Sequence, residues 1–433
     1  MKRPVVIILL VIALVLVCVG IGSVIYFANG FQTNNPFDRR NIPSVLEESK
    51  TLKVDAKKPV ALKVVDDAGG VTVTGADVDT VQVKVVKTAY DSSQSRADAE
   101  VKGIKYTIEQ TGSTITLKYE LPKSMNFNNN VNTVDFVVTV PSETTVNVDT
   151  NMGEVSIAST KGNVDVKNDF GDVTIENIEG TLSVQTNSGK VEATNIKAGN
   201  ANINLHSDFG GVNLTQASGT NITLDSNSGT ISLSDVRASG QLITKTDFGD
   251  TKYENGAANS LNIETNSGKV SIDNLKVIKE LIVNDDFGNI ELNQASAGSY
   301  DLHTNSGSIS VDGAKNKLKA YTDFGDITIV NAQFVMLDLK TNGGKIQFSG
   351  SLGEGPHSVK SEFGEVTVAL PADSKLNVDL KTDFGGISSD IPLTVTLDGS
   401  TDKNHQVGTM NGGGDQLTVT TNGGSISIEA LSK

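Results

Sequence analysis

A glycine returns along this chain in steps of 18 to 21 residues: Gly153, Gly171, Gly189, Gly210, Gly229, Gly249, Gly268, Gly288, Gly307, Gly325, Gly344, Gly364 and Gly385, with Gly424 two steps further on. The residues ahead of it alternate. Asp-Phe-Gly occurs six times, interleaved mainly with Asn-Ser-Gly or Asn-Gly-Gly. A period near 20 that persists over most of a chain marks stacked repeats, each too small to bury its own apolar face. The expected fold is all-β: a single-stranded parallel β-solenoid, or β-helix, of about 20-residue rungs.

Counting from the glycine exposes the core. Two residues after it stand Val155, Val173, Val191, Val212 and Ile231, and four after it Ile157, Ile175, Leu214 and Leu233. Five before it come Val148, Val166, Val184 and Leu205, and seven before it Val146, Val164, Leu182 and Ile203. The period is two within each segment, so each rung holds two short strands with one apolar face apiece. A single rung buries too little to fold alone, and stacking is obligatory.

The alternation has a physical reading. Parallel strands stack about 4.8 Å apart, so an unbroken aspartate ladder would hold like charges at that spacing. Interleaving Asp169, Asp208, Asp247, Asp286 and Asp323 with Asn187, Asn227, Asn266, Asn305 and Asn342 doubles the separation, and asparagine can donate to both neighbours. Phe170, Phe209, Phe248, Phe287 and Phe324 meet Ser188, Ser228, Ser267 and Ser306, which leaves room for each ring. The residue after the glycine switches sign, as in Asp172 then Lys190, Asp250 then Lys269, and Asp326, Lys345, Glu365, which predicts cross-strand ion pairs. These turn residues are expected to be structural.

Ahead of the repeats, Val5 to Ala28 is uncharged and mostly apolar, with Lys2 and Arg3 before it. That is long enough for a membrane span. It lacks an Ala-x-Ala cleavage site, and Val17 precedes the sole cysteine, Cys18, where lipid attachment would want a small residue. The expected organisation is a signal anchor over 1–28, with a cleaved signal peptide as the alternative; a juxtamembrane spacer over 29–50; a divergent β region and cap over 51–149; and regular repeats over 150–433. Within the cap, Gly70 and Gly112 keep a weaker phase, and Ser92 to Val101 reads as a short helix or an inserted loop. At the other end Gly424 to Ile428 ends on an open rung, which calls for a cap folded from residues 389–416 or for end-to-end self-association.

The net charge of −15 disfavours nucleic acid and anionic lipid headgroups as partners. Asp-Phe-Gly also ends a kinase magnesium site, but six copies with no glycine-rich phosphate loop or catalytic loop make it turn chemistry. Calcium is the one cofactor with a local argument, since Asp169 and Asp172, or Asp247 and Asp250, share a turn. However, carboxylates two rungs apart lie too far from each other to share an ion. The aspartate column has the spacing of an inverting glycosidase pair, yet it is monotonous and no Trp offers a sugar platform. His206 and His303 occupy a variable outward position, and His357 and His405 lack ligand spacing. No catalytic, cofactor or metal residue is assigned.

Val134-Asp-Phe-Val-Val-Thr-Val-Pro141, then Val146-Asn-Val-Asp-Thr-Asn-Met-Gly153, then the Gly-x-Val-x-Ile rungs resemble the bacterial putative-adhesin family of β-strand-repeat envelope proteins, LiaG-like proteins included. The resemblance covers about residues 51–433. It implies an extracytoplasmic parallel β-solenoid with no established enzymatic activity. The expected function is therefore a membrane-anchored, non-catalytic scaffold for adhesion or cell-envelope interaction, with an unidentified protein or glycan ligand. The alternatives are an envelope-stress accessory protein and, less in keeping with the columns, a β-helix enzyme acting on polysaccharide. Fourteen to fifteen regular rungs would span about 70 Å at ~4.8 Å each.

Overall fold

The computed structural model describes residues 42–55, 58–122, 131–395 and 403–431. The anchor expected over 1–28 lies outside them. Among the described residues no helix is long and apolar enough to cross a membrane.

The regular region is a parallel β-solenoid. Its strands pair in register from rung to rung, so that Val164 lies against Val146 on one side and Leu182 on the other. The next strand repeats this, with Val173 between Val155 and Val191. The four apolar columns therefore become four continuous stripes, with nearly every member buried. A fifth stripe, seven residues after the glycine, adds Ile178, Ile196, Val236 and Leu275. The Gly249 rung departs from the pattern and compensates within itself. Tyr253 replaces the aliphatic residue four after Gly249, Thr244 replaces the one five before, and their hydroxyls meet at 2.7 Å inside the core.

At both ends the order in space differs from the order in sequence. The first rung, Val60–Asp66 and Val71–Ala76, lies between the second (Thr114–Tyr119 and Thr133–Pro141) and the third (Thr144–Met152 and Val155–Ala158). Antiparallel strands cover the outer side: Thr80–Asp91 on Thr133–Pro141, Ile42–Lys53 on Thr80–Asp91, and Thr107–Thr111 on Thr114–Tyr119. Ser92 to Val101 resolves into a helix, Gln94–Gly103, which buries Ala97 and Val101. Residues 42–50, expected as spacer, thus belong to the folded cap. Gly112, expected to keep the solenoid phase, turns an antiparallel hairpin instead, and the corner falls on Gly69 rather than Gly70.

The C-terminal rung is likewise intercalated. Asp415–Thr421 pairs with His357–Ser361 and with Leu376–Thr382, while Ile426–Ala430 pairs with Val366–Leu370 and with Ile387–Ser389. The rung expected to be an open edge is therefore held on both sides. Beyond it, His405–Met410 runs antiparallel on Leu376–Thr382, and Leu393–Val395 pairs antiparallel with His405–Met410. These two strands, within residues 389–416, cover the end.

Candidate interaction surface

The recurring glycines form one corner. A Cβ built on any of them meets the carbonyl of the glycine one rung away at well under 3.0 Å, in the order Gly69, Gly153, Gly171 and onward through Gly364, then Gly424, then Gly385. Close approach of backbone to backbone, more than a special backbone angle, requires glycine here. Only Gly69, Gly153 and Gly171 in this column have φ in the left-handed region.

Beneath the corner runs a polar column that the sequence pattern did not announce. Three residues before each glycine stands a small buried polar side chain, such as Ser207, Thr304, Thr322, Thr341, Ser361 and Thr421. Thr341 shows the role. Its hydroxyl donates to the Gly325 carbonyl at 2.9 Å and accepts the Gly344 amide at 3.1 Å, which links two corners through one side chain. Ser361 and Thr421 repeat the arrangement. Two members are carboxyls. Burial pushes Asp66 up to about 8 and Asp285 up to about 6, and one oxygen of each lacks a hydrogen-bond partner.

Above the corner the aspartate and asparagine columns interlock. Asn187, Asn227, Asn266, Asn305 and Asn342 donate to Asp169, Asp208, Asp247, Asp286 and Asp323 at 2.6–3.0 Å. The expected Asp–Lys ion pairs after the glycine form differently. Asp172, Asp250 and Asp326 each accept the backbone amide of the lysine on the next rung at 2.8 Å, because a short carboxylate reaches an amide that leaves the ladder at the corner. Lys190 and Lys269 reach elsewhere, to Glu192 and, at 2.6 Å, to Glu291, while Lys345 and Glu365 form the expected pair between rungs at 3.5 Å.

The phenylalanines stand over Ser or Gly, but their rings face solvent. Phe170, Phe209, Phe248, Phe287, Phe324, Phe363 and Phe384 are 59–88% exposed. The intercalated C-terminal rung repairs the one break in their alternation, since Gly423 comes between Phe363 and Phe384 in space.

The other surface of interest is the outward column four residues before the glycine. It reads Gln185, His206, Asp225, Lys245, Glu264, Asn284, His303, Tyr321, Lys340 and Lys360 in successive rungs. Its residues change in charge, size and aromatic character from rung to rung. Asp225, Lys245, Asp247, Glu264, Asn284 and His303 line a concavity of about 310 Å³, and a second lies beside it between Asp301, His303, Tyr321 and Lys340. Lys245 and Glu264 pair at 2.7 Å, and the contact holds the glutamate low and the lysine high. The His303 and Tyr321 rings stack 4.9 Å apart and nearly parallel, with Lys340 5.0 Å from the Tyr321 ring.

The remaining histidines diverge. His206 lies against Asp208 and Asp225, and His405 against Asp379. His357 is buried in a core column, where burial lowers its pKa and its Nδ1 accepts the Leu337 amide at 3.4 Å. Among the described residues no group of three or more His, Cys, Asp or Glu is placed to hold a metal ion.

These columns define the class: an all-β parallel solenoid of single-stranded rungs with a structural corner and a variable polar face. The chain belongs to the Toastrack DUF4097 family, whose profile matches residues 64–254, 217–285 and 251–429. No curated protein matches it. Two crystal structures align with it. One, described as a putative cell adhesion protein from Clostridium sporogenes ATCC 15579, is 12% identical over 90% of this chain and 100% of that one, with a TM-score of 0.18. The other, described as a putative adhesin (BF0245) from Bacteroides fragilis NCTC 9343, is 11% identical over 70% and 97%, with a TM-score of 0.26. At such scores neither likeness bears on fold or function.

Proposed function

We propose that this chain is a non-catalytic adhesion or cell-envelope scaffold, anchored in the membrane by its N-terminal apolar segment, with the solenoid outside the cytoplasm. The observation that carries the reading is the outward column from Asp225 to Lys360. Its residues vary from rung to rung, and it holds two adjoining polar concavities with an aromatic pair between charges. Such a strip suits an extended polar ligand, a glycan or a protein segment, held by many modest contacts. The monotony of the carboxylate column argues against catalysis, which needs groups of different pKa converging on one bond.

The test is binding of the full chain, reconstituted in liposomes, to cells, cell wall and glycans, with and without calcium. Binding that drops at least tenfold in a His303→Ala/Tyr321→Ala/Lys340→Ala variant is the expected outcome. No binding under any cation condition would overturn the reading.

A further inference from the structure

The exposed phenylalanines are not required by the corner. Every second rung makes the same corner with Ser or Gly at that position. A column of aromatic rings at ~9.6 Å intervals (two strand spacings) in water therefore needs another explanation. Its surface alternates knob and hole, Phe then Ser or Gly. The flanking columns alternate in the same phase, Asp then Asn on one side and, at three places, Asp then Lys on the other.

We propose that this ridge is the interface with a second copy of the chain, running antiparallel, about a two-fold axis lying between the Gly249 and Gly268 rungs. This proposal is independent of the outward face. A two-fold axis makes the interface self-complementary, each patch meeting its own copy. Placed there, it sets Phe248 against Ser267, Phe287 against Ser228, Phe209 against Ser306, Phe324 against Ser188 and Phe170 against Gly343. The same operation sets Asp250 against Lys269, Lys190 against Asp326, and Asp172 against Lys345. In the column before the ring every Asp meets an Asn. Moving the axis one rung toward the N-terminus leaves no opposite-charge pair in that column, and one rung toward the C-terminus leaves Glu365 against Lys190 alone. A parallel pair sets each Phe against its own copy. The match ends where Glu154 would meet Glu365, so the overlap runs from the Gly171 to the Gly344 rung.

The area is adequate. Five rings in each copy, 59–76% exposed, offer on the order of 100–150 Å² apiece, given about 150–250 Å² for a whole aromatic side chain. Two copies then bury roughly 1,000–1,500 Å² from rings alone, against about 1,200–2,000 Å² for a stable interface.

The experiment uses the full chain in mild detergent, with Cys18→Ser throughout. Thr230 and Asn289 are exposed and face one another across the axis. A mixture of Thr230→Cys and Asn289→Cys chains should cross-link with a short bis-maleimide, and neither alone should. Self-cross-linking of Thr230→Cys as efficiently as the mixture, or no cross-link in any combination, would overturn the proposal. A second measurement separates fit from stickiness. Ser228→Phe/Ser267→Phe fills two holes and adds apolar surface, and should weaken self-association at least tenfold by sedimentation while circular dichroism is unchanged. Tighter association would sink the idea. Neither result depends on whether the outward face binds a ligand.

Discussion

Among single residues, Asp285 shows most clearly what the corner demands. Its neighbours in the buried column are hydroxyls that both donate and accept, whereas a carboxylate only accepts. The folded chain therefore favours the protonated acid, with a pKa of about 6 against about 3.9 when unfolded. The sign follows. Stability is undiminished below the unfolded value, falls as pH rises through 6, and stays reduced above it. Asp285→Thr should raise the melting temperature at pH 8 and lose that advantage near pH 4, with a gain of roughly 1–3 kcal/mol at pH 8 from removing an unsatisfied buried group. Equal melting temperatures at pH 8 would show that the carboxyl is accommodated in another way. The backbone carries a further residue-scale column. Asn177, Asn195, Gln216, Asp235, Asn255 and Asn274 all have φ between 50° and 56°, six positions after the glycine. Left-handed geometry suits Asn and Asp. Two pairs also hydrogen-bond side chain to side chain, Asn195 to Asn177 and Asn274 to Asn255, at 2.6 and 2.7 Å.

In the strand pairs, the hydroxyl relay decides how firmly one corner grips the next. Thr341→Val keeps the shape of the side chain but strips both hydrogen bonds, leaving the Gly325 carbonyl and the Gly344 amide without their partner. The expected cost is about 1–3 kcal/mol, read as faster hydrogen exchange at Gly344, with Thr341→Ser close to the parent. Exchange at Gly344 unchanged in the valine variant would mean that the relay is incidental. The apolar columns were legible because period two with Val, Ile and Leu has one meaning in a β chain. The relay was not, because Thr is common on any strand face, and only the fold turns this one inward under a corner. Of the expected salt bridges Lys345–Glu365 formed, and the Asp–Lys pairs failed for a related reason. Sign alternation between neighbouring rungs was real, but side-chain length decided the partner, and the short Asp found an amide before it found a lysine.

For the whole molecule, the alternation predicts which lengths are allowed. Deleting residues 250–288, two rungs (288 − 249 = 39 residues), brings the Phe248 rung against the Ser306 rung and keeps every column in phase. Deleting residues 250–268 alone (268 − 249 = 19 residues) brings Phe248 beside Phe287 and Asp247 beside Asp286. The shorter deletion should melt at the lower temperature although it removes less core. If melting follows the amount of core removed, the alternation is not structural. What the sequence withheld at this scale was the order of rungs at the two ends. A linear reading places neighbours in sequence side by side. It gave no sign that Asp415–Thr421 slips between two earlier rungs, although the two successive Phe-Gly corners at Gly364 and Gly385 were a trace of the missing partner between them.

That intercalation at both ends bears on how such a molecule changes size over generations. A rung copied onto either end would have no place to go, because each terminal rung is already clasped between two others and covered by antiparallel strands. New length can enter only in the interior, and only in pairs. The return of Asp-Phe-Gly at every second rung from Gly171 to Gly325 is then the trace of length added in pairs inside the array.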